Sequence, residues 1–126
     1  MAVERKIFRC SICGNIVTLL HEGKGELVCC GEPMKRLIAG EDDSAAKEKH
    51  VPVVKVVDGK LRVDVGDVPH PMVPEHYIEF VILVTGTGFF VEFLDPGKEP
   101  VAWFTLPEDD DYEVFEYCNL HGLWKA

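Results

Sequence analysis

The chain has 126 residues, a length for one ordinary domain or for a small domain beside a very small metal-stapled one. An apolar fraction of 47% supports a packed core and excludes disorder, while a formal net charge of -9 argues against nucleic-acid binding, which needs a basic face. No apolar run approaches the length that a bilayer requires, the longest, Phe80 to Val84, being strand-sized.

Met1 to Lys6 lacks the apolar stretch of a signal peptide, so a cytoplasmic location is expected. The five cysteines then read as ligands rather than disulfides. Residues 1–36 form a first unit. Lys6 to Arg9 reads as a short strand entering Cys10-Ser11-Ile12-Cys13-Gly14-Asn15, and Ile16 to Leu20 as a second strand. After a turn at His21 to Gly25, Leu27-Val28 leads into Cys29-Cys30-Gly31. Four cysteines in so short a segment indicate a four-coordinate site, because the segment buries too little surface to fold alone. Zinc and iron both accept four thiolates, and the adjacency of Cys29 and Cys30 predicts a distorted tetrahedron. His21 is read as a surface turn residue.

Residues 37–49 read as a linker, with an acidic stretch Glu41-Asp42-Asp43 and Ser44 placed to cap one turn of helix. That turn ends at His50, since Pro52 pushes Val51 into extended geometry. From residue 50 to 126 the pattern has period two. Val53 to Val57, the Asp58-Gly59 turn and Leu61 to Val65 predict a hairpin. Asp67 to Pro74 is a proline-stiffened loop. Strands are predicted at Glu75 to Thr85, Phe89 to Leu94, Val101 to Leu106 and Tyr112 to Cys118. The acidic run Glu108 to Asp111 lacks the spacing of a calcium loop and reads as a solvated turn. At least six strands without a long helix predict a mostly β protein whose larger part is an immunoglobulin-like β-sandwich.

A second ligand set gathers at the predicted strand ends and loops. His50 precedes a strand, His70 lies between prolines, His76 opens a strand, and Cys118-Asn119-Leu120-His121 closes one. Imidazoles with one soft sulfur suit iron, copper or zinc, and a mostly imidazole set leaves room for an exchangeable position.

The ordered motifs Cys10-x-x-Cys13…Cys29-Cys30, Glu48-Lys49-His50-Val51-Pro52, His70-Pro71-Met72, Glu75-His76-Tyr77-Ile78 and Cys118-Asn119-Leu120-His121-Gly122-Leu123-Trp124 resemble desulfoferrodoxin, the two-iron class of superoxide reductase. The resemblance covers essentially the whole chain. It implies a desulforedoxin-like first unit holding iron through Cys10, Cys13, Cys29 and Cys30. It implies a second iron with His50, His70, His76 and His121 in a plane and the Cys118 thiolate axial. It further implies that superoxide takes one electron from ferrous iron there, and that two protons then give hydrogen peroxide. Glu48 would ligate the ferric iron after product leaves, and Lys49 would stand beside the open position. An electron donor such as rubredoxin and a homodimer are implied as partners. The rival readings are a non-catalytic iron electron carrier and a structural zinc protein.

Overall fold

The structure is a computed structural model and describes residues 4–126, so the N-terminal end of the leader reading, residues 1–3, lies outside it. The described chain forms two compact units, Glu4–Ile38 and Ala39–Ala126. In the first, β1 (Ile7–Arg9) pairs antiparallel with β2 (Ile16–Thr18) and β5 (Lys35–Arg36). A separate hairpin joins β3 (Val28–Cys29) to β4 (Glu32–Pro33). Its two-residue loop is Cys30-Gly31, both with positive φ. Asp58-Gly59 makes the same kind of loop in the second unit, as its sequence predicts. Two central residues with positive φ match the strand twist, which is why glycine closes both loops.

The second unit begins with a single helical turn, α1 (Lys47–His50). Two antiparallel sheets follow. β6 (Pro52–Val57), β7 (Lys60–Val65) and β10 (Val101–Thr105) form one, ordered β10-β7-β6. β8 (Ile78–Val84), β9 (Phe89–Phe93), β11 (Glu113–Cys118) and β12 (Gly122–Lys125) form the other, ordered β12-β11-β8-β9. β7 alternates strictly between buried and less buried residues, so one of its faces lines the core. Leu61, Val63, Val65, Ile78, Val81, Leu83, Ala102, Phe104 and Val114 make that core, and Cys118 belongs to it. The mostly β architecture with a sandwich is the one that the sequence predicts.

Three local readings change. His76 does not open a strand: β8 starts at Ile78, and His76 is held in the preceding loop by a bridge to Val73. Ser44 does not cap α1, whose N-cap is Ala46 without any side-chain cap; Ser44 bonds to Asp42 instead. The stretch read as a linker also anchors itself, the Gly40 N–H donating to the Leu123 carbonyl at 2.8 Å.

Candidate metal centres

The first cluster is the four cysteines of the N-terminal unit, whose sulfurs all lie within 4.8 Å of one another. Cys13 and Cys29 sulfurs are 3.6 Å apart, and those of Cys29 and Cys30 are 4.0 Å apart. A tetrahedron with metal–sulfur bonds of about 2.3 Å places its sulfurs about 3.8 Å apart. The spacing therefore fits a metal. Adjacent cysteines manage this because Cys30 turns into positive φ in the hairpin loop. Backbone amides of Cys13 and Ile12 point at the Cys10 sulfur and draw its pKa down to about 6. Crowding by the sulfurs of Cys13, Cys29 and Cys10 pushes Cys30 up to about 12. A divalent cation binding the four sulfurs displaces the protons that this crowding otherwise retains.

The second cluster is His50, His70, His76 and Cys118, again within 4.8 Å. Each comes from a different part of the sandwich: the α1 turn, the proline loop, the loop before β8 and the end of β11. Where β11 pairs with β8, the register shifts between Tyr117 and Cys118. Such an irregularity re-aims a side chain at a strand end. His50 Nδ1–H donates to the Ala46 carbonyl and His70 Nδ1–H to the Pro71 carbonyl, each at 2.7 Å. Both Nε2 lone pairs are thus left to face each other at 3.1 Å with no proton between them. Two acceptors so close repel unless a cation joins them. Metal–imidazole bonds of about 2.1 Å at a right angle place adjacent nitrogens about 3.0 Å apart. His76 Nε2 is buried and, among the described residues, has no hydrogen-bond partner.

The ring centroids trace a four-sided figure. His50 to His70 and His70 to His76 measure 4.6 Å, His76 to His121 5.3 Å and His121 to His50 5.1 Å. The diagonal from His50 to His76 is 6.3 Å. His121 therefore occupies the fourth corner, although its nitrogens lie outside the tighter four-residue set. Burial holds His70 down to about 4 and lowers His50 and His76 too, so the imidazoles are neutral, the form that binds metal. Burial raises the Cys118 thiol, while the Leu120 and His121 backbone amides oppose the rise by pointing at its sulfur.

Both halves of the chain match known family descriptions: residues 2–37 match "Desulfoferrodoxin, N-terminal domain" and residues 42–126 match "Desulfoferrodoxin". The chain belongs to the desulfoferrodoxin family. A desulfoferrodoxin of Nitratidesulfovibrio vulgaris is 48% identical over 100% of this chain and 98% of its own. A superoxide reductase of Pyrococcus horikoshii is 38% identical and covers 62% of this chain and 84% of its own. The solved superoxide reductase of Treponema pallidum superposes with a TM-score of 0.80 at 35% identity, covering 100% of this chain and 99% of that one.

Relative to the motifs of desulfoferrodoxin, the structure adds supporting residues that the sequence reading passed over. Asp42, read as linker, accepts a hydrogen bond from His121 Nδ1–H at 2.9 Å. Its carboxyl is held down at about 2, first by Ser44 and then by His121. Asn119, given no role of its own in the sequence reading, ties two ligand loops together: its Oδ1 accepts from the Tyr77 N–H, and its Nδ2 donates to the Glu75 carbonyl. Trp124 packs its ring 5.1 Å from His50 and donates Nε1–H to the His121 carbonyl. The acidic stretch Glu41 to Asp43, a short way before the ligand His50, was the available signal for Asp42. Lys49 is half-buried on the turn that carries His50, and its charge adds to the burial and the His121 charge that lower His76. Glu48 is exposed on the same turn.

Proposed function

We propose that the chain reduces superoxide at the cluster of His50, His70, His76, His121 and Cys118, and that Cys10, Cys13, Cys29 and Cys30 hold a second, separate iron. The observation that carries this is the pair of proton-free Nε2 atoms of His50 and His70, 3.1 Å apart beside the buried Cys118. Iron held there by the four imidazoles and the Cys118 sulfur would supply one electron to superoxide, which with two protons would give hydrogen peroxide.

The chain's own residues do the rest. Neutral imidazoles leave the bound cation's charge uncancelled, which attracts an anion. The Cys118 thiolate donates electron density, and the Leu120 and His121 amides moderate it. Lys49 supplies a local positive charge that counters the repulsion of a protein of net charge -9. Glu48, exposed two residues before His50, is the carboxylate to which we assign closing the site once product has left. An electron donor such as rubredoxin restores the electron. A homodimer in the cytoplasm is the assembly and location we propose, five free cysteines suiting a reducing compartment. No helix is long and apolar enough to cross a membrane.

Lys49→Ala tests the division of roles. The bimolecular rate with superoxide is expected to fall about tenfold, roughly 1.4 kcal/mol, with a flatter dependence on ionic strength. Stopped-flow mixing of superoxide with the ferrous protein at several salt concentrations measures both. The wild-type rate with the wild-type salt slope would remove Lys49 from the site.

A further inference from the structure

α1 is a poor helix by itself. It has four residues, no side-chain cap and extended backbone at both flanks. An isolated turn of that length is unstable in water, so something else must hold it. It nevertheless carries Glu48, Lys49 and His50 in succession.

The support is a stretch of backbone just after β7. The Val68 N–H donates to the Glu48 carbonyl at 2.8 Å, and the Gly66 N–H donates to the Val68 carbonyl at 3.3 Å. The His70 N–H reaches back to the Val65 carbonyl at 2.9 Å, so the loop that presses on α1 also carries His70. Gly66 lies at the point of closest approach. A Cβ built there would stand 2.8 Å from the Glu48 carbonyl oxygen, 2.9 Å from the Lys49 carbonyl carbon and 2.9 Å from the Val51 carbonyl oxygen. All three are backbone atoms and cannot rotate away as a side chain can. A methyl group there must push the turn and the loop apart.

The structure assigns Gly66 as a positioning residue that sets how Glu48 and Lys49 are presented to the site. It acts through contact with the carbonyls of the turn, and touches neither substrate nor metal. The inference rests on the roles given above to Glu48 and Lys49.

Gly66→Ala is the direct test, read in three ways. In zinc-loaded, diamagnetic protein, the Val68 amide is expected to lose protection from hydrogen exchange while amides in β8 and β11 keep theirs. In iron-loaded protein, the rate with superoxide is expected to fall roughly threefold or more, as a displaced surface charge would cause. The pH dependence of the ferric spectrum, to which ligation by Glu48 would contribute, is expected to shift. The deciding comparison is the triple variant Gly66→Ala with Glu48→Ala and Lys49→Ala, set against the double variant without the Gly66 change. If Gly66 works through those side chains, its effects on rate and on pH dependence vanish in that background. Equal effects in both backgrounds would overturn the proposal and leave Gly66 as a packing residue. An unaltered Val68 amide would overturn it too. If Gly66→Ala does not fold, Val68→Pro removes the hydrogen bond to Glu48 without adding bulk at residue 66. It is expected to give the same rate loss and pH shift, and wild-type values for both would overturn the assignment. Failure of the underlying reading looks different: Glu48→Ala and Lys49→Ala would themselves leave the spectrum and rate unchanged.

Discussion

The two units solve the problem of holding a metal in opposite ways. Glu4–Ile38 has short strands of two or three residues, and of its apolar side chains only Ile7 and Cys10 are buried. Ile12, Val17, Leu20, Val28 and Ile38 stay exposed. The four sulfurs are effectively its core. Ala39–Ala126 has a packed sandwich first, and its ligands are added at the ends of strands and in loops that the sandwich already fixes. In one unit the metal makes the fold, and in the other the fold makes the metal site. A small unit with little to bury must obtain stability from ligation. A sandwich can instead hold imidazoles neutral, oriented and close together before any cation arrives.

The strongest way to break that comparison is to remove metal. Stripping by a chelator is expected to unfold the first unit, where ligation contributes on the order of 10 kcal/mol, and to leave the sandwich folded. Hydrogen exchange reads this directly: β1, β2 and β5 lose protection while β7, β8 and β11 keep it. If both units melted together on metal loss, the sandwich would not be preorganised.

Glu116 sharpens the contrast from within the sandwich. It is fully buried on β11 opposite Val81, and neither carboxyl oxygen has a hydrogen-bond partner among the described residues. Burial pushes it up to about 9 from an ordinary 4.5. The folded state therefore keeps this proton between those values while the unfolded state releases it, so stability falls as pH rises through that window. Glu116→Gln is expected to remove a slope of about 1.4 kcal/mol per pH unit. The variant should match wild type near pH 4 and exceed it by about 3 kcal/mol at pH 7. Denaturant unfolding at matched metal content measures the gap, and a gap independent of pH would contradict the burial argument.

A smaller effect is expected at Asp42. Losing the carboxylate that orients a ligating histidine costs about 10–100-fold in metal affinity. Asp42→Ala should weaken iron retention in the second cluster by that order and leave the tetrathiolate absorption unchanged. Competition with a chelator, followed in both absorption regions of one sample, tests it. Equal retention would make the Asp42–His121 hydrogen bond incidental.

Much of this architecture is legible in residue order. The Asp58-Gly59 hairpin, the proline loop around His70 and the alternation of β7 follow from local chemistry, and the two ligand sets follow from cysteine and histidine spacing. What the order of residues hides is reach. Asp42 meets His121 across most of the chain's length, and Asn119 meets Glu75 and Tyr77 across a sheet; neither spacing has a local signature. His76 looked like the start of a strand because β-type residues follow it directly, yet its pairing with Val73 ends the loop before β8 begins. Gly66 carried no signal at all, since its role is the closeness of a backbone 15 or more residues away in sequence.

The most direct test uses the Cys13→Ser variant, in which the first cluster is broken and the second is intact. The variant is reduced anaerobically and mixed with a limiting, known amount of superoxide while peroxide and oxygen are both measured. The account predicts one hydrogen peroxide for each superoxide consumed and no oxygen released, because the second cluster acts alone and acts as a reductant. Oxygen evolved at one molecule per two superoxides would mean dismutation, and no consumption at all would mean that the two clusters cannot be separated; either result contradicts it.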